Sequence, residues 1–181
     1  MEPAGGKLLI AGPALADPNF WRTVVLIVEH SEEGAFGLVL NRPSETSVGE
    51  AVPEIDELVD PDGSLFIGGP VQPSAVVVLG HFEDASDAAL LAFDEVGVLG
   101  TGSSLEELSA GLRAGRAFVG HAGWGPGQLE SELERGDWIL ETALLEDAFS
   151  ASPRELWPSV LTRKGGSYAL VARMPPDPSL N

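Results

Sequence analysis

The chain has 181 residues, of which 44% are hydrophobic, and its mean hydropathy is +0.11, enough for one domain spanning 1–181 with a buried core. It contains no cysteine, which excludes disulfides, thiolate metal sites and cysteine nucleophiles. Lys and Arg number 10 against 28 Asp and Glu, a formal charge of −18 that repels phosphate backbones and argues against direct nucleic-acid binding.

The acids are unevenly spread. No Lys or Arg occurs between Arg42 and Arg113, while fourteen Asp and Glu fall from Glu45 to Glu107. Such a surface suits a basic protein partner or a cation, or simply keeps the chain in solution. The opening MEPAGGKLLIAGPAL carries one Lys and no long apolar run, so no signal peptide is expected. No stretch of transmembrane length is apolar, and a soluble cytoplasmic protein without a membrane role is the expectation.

In chain order, Lys7 to Ala11 reads as a strand ended by Gly12-Pro13, and the segment through Asp17-Pro18 as a loop that docks Phe20 and Trp21. Arg22 to Glu29 is a β-branched run suited to a central strand buried on both faces. A turn at 30–34 and a return strand from Ala35 to Leu40 predict a hairpin, and Pro43 stops further pairing. Ser47 with Glu50 predicts a capped helix interrupted by Pro53, followed by an acidic loop from Asp56 to Gly63. Leu65 to Ile67 is a strand running into the turn Gly68-Gly69-Pro70-Val71. Strands follow at Ala75 to Leu79 and Val96 to Leu99, with a loop or edge segment over 83–95.

Ser103 or Ser104 caps a helix whose Leu105, Leu108 and Leu112 face the core, with Gly115 as its C-cap. Arg116 to His121 is a strand feeding GHAGWGPGQLESEL, in which Gly123, Gly125 and Gly127 surround Trp124 and Pro126. Pro126 opens a helix that presents Gln128, Glu130, Glu132 and Glu134, buries Leu129 and Leu133, and ends at Gly136. Asp137 to Leu140 is a strand. A helix from Ser152-Pro153 carries Leu156, Trp157, Val160 and Leu161, is split by Pro158 and ends at Gly165-Gly166. Ser167 to Ala172 is the last strand, and Pro175 to Asn181 a tail. Strands outnumber helices, and the connections are too short for crossovers. The fold class is therefore α+β with a mixed, mainly antiparallel sheet.

Catalytic chemistry has no clear carrier. No Ser sits in a Gly-x-Ser-x-Gly elbow, and His30, His81 and His121 are scattered at strand ends without metal-ligand spacing. No catalytic residue, metal ligand or cofactor is assigned. The glycine loop before the acidic helix has free N–H groups that suit an anion, or it is a tight turn with Trp124 lidding the core. It fits neither a dinucleotide fingerprint nor a P-loop. Asn41 and Arg42 have the same two readings: polar groups for a ligand, or partners for loop carbonyls.

The blocks GKLLIAGPAL, DPNFWRTVVLIVEH, GAFGLVLNRP, IGGPV, GHAGWGPGQLESEL, DWIL and the DPSLN ending together strongly resemble the YqgE/AlgH family of small bacterial proteins, from about Lys7 to Asn181. The resemblance implies an α+β fold with a bent or partly barrel-like sheet flanked by short helices. It brings a transcriptional-regulator label for some members and no established biochemical activity. Its pattern falls on Arg22, Asn41, Pro43, Gly68, Gly69, Pro70, Gly123, Trp124, Gly125, Gly127, Gln128 and Glu130; these residues without Pro43, and with Arg42 added from its position, form the candidate ligand- or partner-binding set. No helix-turn-helix pattern or basic face accompanies them.

Two functional readings follow. The first is a non-enzymatic regulatory or protein-interaction module acting through protein contact. The alternative is a small-molecule or anion binder, or an unrecognised enzyme, with its site at the glycine-rich loops. The charge stands against a third reading, direct DNA contact.

Overall fold

The computed structural model of the chain describes residues 3–100 and 104–176. Its strands are β1 (Lys7–Ala11), β2 (Val24–Ser31), β3 (Gly34–Val39), β4 (Pro43–Ser47), β5 (Ser64–Ile67), β6 (Val71–Phe82), β7 (Leu90–Phe93), β8 (Val96–Val98), β9 (Leu112–Trp124) and β10 (Trp138–Thr142). The helices are α1 (Val48–Ala51), α2 (Leu105–Ala110), α3 (Gln128–Arg135), α4 (Leu145–Ala148), α5 (Leu156–Lys164) and α6 (Ser167–Val171). The strands join one sheet in the order β10-β1-β2-β3-β9-β6-β8-β7, with β5 beside β9 and β4 beside β5. Every pair is antiparallel except β5 with β9. The architecture is the expected α+β arrangement.

The sheet bends without closing. A Cβ on Gly6 would lie 2.3 Å from the Ala92 carbonyl oxygen, so strand β7 at the far end of the sheet returns against the residue just before β1. The long strand β9 changes partners along one edge. Phe118 and Val119 pair with β5, whereas Ala122 to Trp124 pair with β3. Gly120, at φ 71, sits between the two stretches. Its missing side chain admits the Gly69 carbonyl, which a Cβ would approach to 2.3 Å.

Strand β2 is buried on both faces, as its β-branched run predicts. Val24, Leu26 and Val28 join a central cluster with Leu8, Ile10, Phe118 and the helix α5 residues Trp157 and Leu161. Val25 and Ile27 face the other way, into a second cluster with Leu9, Trp124, Trp138 and Leu129 of α3. A third cluster, with Val48, Leu58, Val78 and Ala117, lies beneath α1 and α2. Burying each large apolar side chain contributes about 1.5–3 kcal/mol, so these alternating rows hold the sheet and helices together. Asp147 is buried as well, and Arg163 grips its carboxylate with two bonds of 2.8 and 2.9 Å.

Several elements depart from their sequence signals. Ser167–Val171 is a helix, not a strand: Tyr168 and Val171 pack on the central cluster, and the Lys164 ammonium sits 5.2 Å from the Tyr168 ring centroid. Helix α2 ends at Gly111, and Leu112 to Gly115 already belong to β9. Gly115 lies where a Cβ would meet the Leu58 carbonyl at 2.2 Å, so its role is close approach and not capping. Pro158 does not split α5, because it falls in the first turn, where no intrahelical N–H is required. Pro43 does not end pairing: it sits opposite Phe66 in the short strand β4, at the margin of the sheet, where a missing N–H is tolerated. Part of 83–95 forms β7, and β6 begins at Val71, with an irregular register between Val71 and Val76 around Pro73. Ser104 caps α2, its Oγ accepting the Glu107 N–H at 3.2 Å. Ser103, the other candidate cap, and the tail from 177 lie outside the described residues.

Candidate functional site

The predicted site residues fall into three groups. Asn41 stands in for a strand residue: its Oδ1 accepts the Val24 N–H at 3.0 Å and its Nδ2 donates to the Arg22 carbonyl at 2.9 Å. Arg42 donates to the carbonyls of Pro18, Asn19 and Trp21 and so gathers the loop ahead of β2. Arg22 donates to the carbonyls of Met174 and Pro175, between the rings of Trp21 and Trp157. Burial lowers the pKa of both guanidinium groups from their ordinary value, and Asp17 partly offsets this at Arg42. These three polar side chains thus work on loop carbonyls.

Gly68, Gly69 and Pro70 form the second group. Gly69 has φ 153, and a Cβ there would lie 2.2 Å from the His121 carbonyl carbon and oxygen. Gly68 donates its N–H to Val119 and accepts from Val39, so it bridges β9 and β3. These glycines are the joint through which three strands meet.

The third group is the former loop. Gly123 and Trp124 are the last residues of β9, paired with Phe36 and Ala35. Gly127, at φ 75, is the N-cap of α3, and Gln128 Oε1 accepts the Gly125 N–H at 3.0 Å. That bond takes up an N–H which the anion reading requires, and Glu130 adds negative charge in the first turn. The Trp124 indole donates to Glu132 at 2.5 Å, and its ring meets Trp138 edge-on, with centroids 6.1 Å apart. Ala35 and Val39, the points on β3 where the third and second groups attach, are four residues apart, roughly 13 Å of strand. The histidines stay apart. His30 bonds Glu130, His81 faces Phe149 at 6.4 Å, and His121 faces Phe36 at 4.9 Å.

A different feature opens on the surface where the third hydrophobic cluster meets solvent. A groove of about 360 Å³ runs between Val52, Ile55 and Leu58 on one side, Val76 on its floor, and Leu105 and Leu108 of α2 on the other. Val76 and Leu105 are 39% and 38% exposed. Glu54, Asp56, Glu57, Glu106 and Glu107 are exposed on the segments that form its walls. All these residues lie inside the stretch between Arg42 and Arg113 that contains no Lys or Arg.

Residues 8–169 match the family model described as AlgH-like. The chain belongs to the AlgH-like family. A UPF0301 protein of Streptomyces coelicolor is 42% identical over 182 residues, covering 97% of this chain and 94% of that protein. A UPF0301 protein of Chlorobaculum tepidum is 41% identical over 183 residues, covering 97% and 95%. Among solved structures, a Corynebacterium diphtheriae protein superposes with a TM-score of 0.87 at 33% identity, over 96% of this chain and 94% of that one. The solution structure of AlgH from Pseudomonas aeruginosa gives 0.71 at 32% identity, over 98% of each chain.

For this AlgH-like chain, sequence reasoning singled out the glycine joints and missed the groove. Its walls come from segments far apart in sequence, and the helical spacing of Leu105 and Leu108 pointed to the core, whereas both line the open groove and Leu105 is exposed. The one signal that pointed toward it was the long gap without a cation.

Proposed function

We propose that this AlgH-like protein is a non-enzymatic interaction module that docks a basic amphipathic segment of another protein in the groove between α2 and β6. The observation that carries this reading is the union of an open apolar floor with walls drawn wholly from the cation-free, acid-rich stretch. Apolar side chains of a partner fill the groove, while its Lys and Arg meet Glu54, Glu57, Glu106 and Glu107. A second copy of this chain is disfavoured as occupant by its own charge of −18. Regulation by such a protein runs through its partner, in the cytoplasm, without DNA contact.

The test uses fluorescence anisotropy with a labelled Leu/Lys peptide of helical amphipathic pattern and a scrambled peptide of equal composition. The patterned peptide binds more tightly, and added salt weakens it. Val76→Glu lowers its affinity at least about tenfold, equivalent to about 1.4 kcal/mol. Equal binding of the two peptides, or no effect of Val76→Glu, overturns the reading. So does concentration-dependent dimerisation through this face in sedimentation.

A further inference from the structure

A separate cleft lies on the opposite side of the β5-β9-β6 layer. Alternation along β9 sends Phe118 into the central cluster and Ala117 with Val119 into the cluster beneath the groove, and Arg116 shares the side of Phe118. The cleft has a volume of about 440 Å³ and is walled by Pro43, Ser64, Phe66, Arg116 and the segment 150–155. The Arg116 guanidinium carbon sits 4.6 Å from the Phe66 ring centroid, and Nη2 donates to the Ser150 carbonyl at 3.0 Å. Nη1 is closed to solvent and has no partner, the one buried side-chain nitrogen or oxygen so placed among the described residues. Arg154 stands at the same cleft, held by a 3.5 Å bond from Nη2 to the Pro43 carbonyl.

Among the described residues, Arg135 pairs with Asp137, Arg163 with Asp147 and Lys164 with Glu141, whereas no carboxylate lies within 4.0 Å of Arg116 or Arg154. Glu155 is the one acid in the cleft wall. Burial lowers the pKa of the Arg116 guanidinium from its ordinary value, the direction expected where a charge is desolvated. A purely mechanical role, tying 150–155 to the sheet, uses Nη2 and the Phe66 ring and leaves Nη1 without a hydrogen-bond partner. Buried donors in folded proteins nearly always have a partner, and a charged donor is the costliest to leave without one.

We propose that this cleft binds a small organic oxyanion, a carboxylate or a phosphate monoester, carried on a flat apolar body. The oxyanion bridges Arg116 Nη1 and the Arg154 guanidinium, and a small turn of Arg116 about its Ser150 bond brings Nη1 to it. The apolar body lies along Phe66, Pro43 and Pro153. The site shares no residue with the groove and stands independently of the docking reading.

Calorimetry and amide NMR with phenyl phosphate, benzoate and neutral benzamide test it on the full chain. Both anions bind one to one and shift amides at 64–66 and 150–155, and benzamide does not bind. Arg154→Gln, a change at an exposed side chain, weakens the anions at least about tenfold, the loss expected of one charge-assisted bond. Arg116→Gln removes binding, and if that variant does not fold, Arg154→Gln decides. Val76→Glu binds both anions as the unsubstituted chain does, so failure of the groove reading leaves this result untouched. Absence of binding by both anions at millimolar concentration overturns the proposal. So do equal binding of benzamide and unchanged affinity in Arg154→Gln.

Discussion

The ring of His30 joins Glu130 to the N-terminal segment: Nδ1 accepts the Ala4 N–H at 2.8 Å, and Nε2 bonds the Glu130 carboxylate. Because Nδ1 is an acceptor, the proton of the neutral ring is on Nε2 and is donated to the carboxylate. Both nitrogens are committed, and the His30 side chain is only 4% exposed. The pair fastens α3 to the end of β2.

The pH dependence of stability follows from that contact. The Glu130 carboxyl is held below its ordinary pKa of 4.5 by a bond from its own backbone N–H and then by His30. A depressed carboxyl contributes stability that is fully present above 4.5 and is lost as pH falls through the lower, folded value. Glu130→Gln removes this contribution. Its unfolding midpoint in urea changes less between pH 6 and pH 3 than that of the unsubstituted protein, a window of roughly one and a half units around the reference carboxylate pKa. Parallel acid limbs in the two proteins contradict the assignment.

The glycine joints differ sharply in tolerance. Gly69→Ala forces a Cβ into the His121 carbonyl at 2.2 Å and imposes φ 153 on an L-residue, and backbone on both sides prevents relief. A loss of about 3 kcal/mol or more is expected. Gly125→Ala meets nothing nearer than the Gln128 Oε1 at 4.0 Å, so its effect stays within about 0.5 kcal/mol. Denaturant unfolding of the two variants checks the contrast; comparable losses would show that the strand joint is softer than described.

Arg22 combines strain with anchoring. It holds φ 54, rare for a side-chain-bearing residue, while its guanidinium rests 4.5 Å from the Trp157 ring centroid and binds two carbonyls near the end of the described chain. Arg22→Ala loses the anchors and keeps the strain, for a destabilisation of about 2 kcal/mol. Arg22→Gly loses the same anchors but relieves the backbone, and is expected to be about 1 kcal/mol more stable than Arg22→Ala. Thermal unfolding of both variants measures the difference directly, and amide exchange around 174 increases in each.

Much of the architecture was legible because local and global preferences agree. The β-branched run within Arg22 to Glu29 suits a strand buried on both faces, and Ser47, with Ser104 of the pair Ser103 and Ser104, marks a helix start through its hydroxyl. The final helix was not legible: SYALV suits either state, and the choice is made by Tyr168 and Val171 reaching the central core. Strand β4 was hidden because PSETS is polar, and in the stretch 83–95, open to a loop or an edge segment, the half-exposed LLAF forms the edge strand β7. Among the candidate residues, Asn41 and Arg42 carried two readings, ligand groups or partners of loop carbonyls, and their side chains donate to the carbonyls of Arg22, Pro18, Asn19 and Trp21. The groove and the Arg116 cleft could not be read, since each is assembled from side chains that only the folded sheet brings together.

Strand β1 pairs with β10 along its whole length, from Lys7 opposite Thr142 to Ala11 opposite Trp138. During synthesis the first strand therefore leaves the ribosome with one edge exposed and waits until translation has passed Thr142. Over that interval the nascent polypeptide presents an apolar template to other chains. Premature termination before Trp138 would make that exposure permanent, so truncated products should be found in aggregates or bound to chaperones.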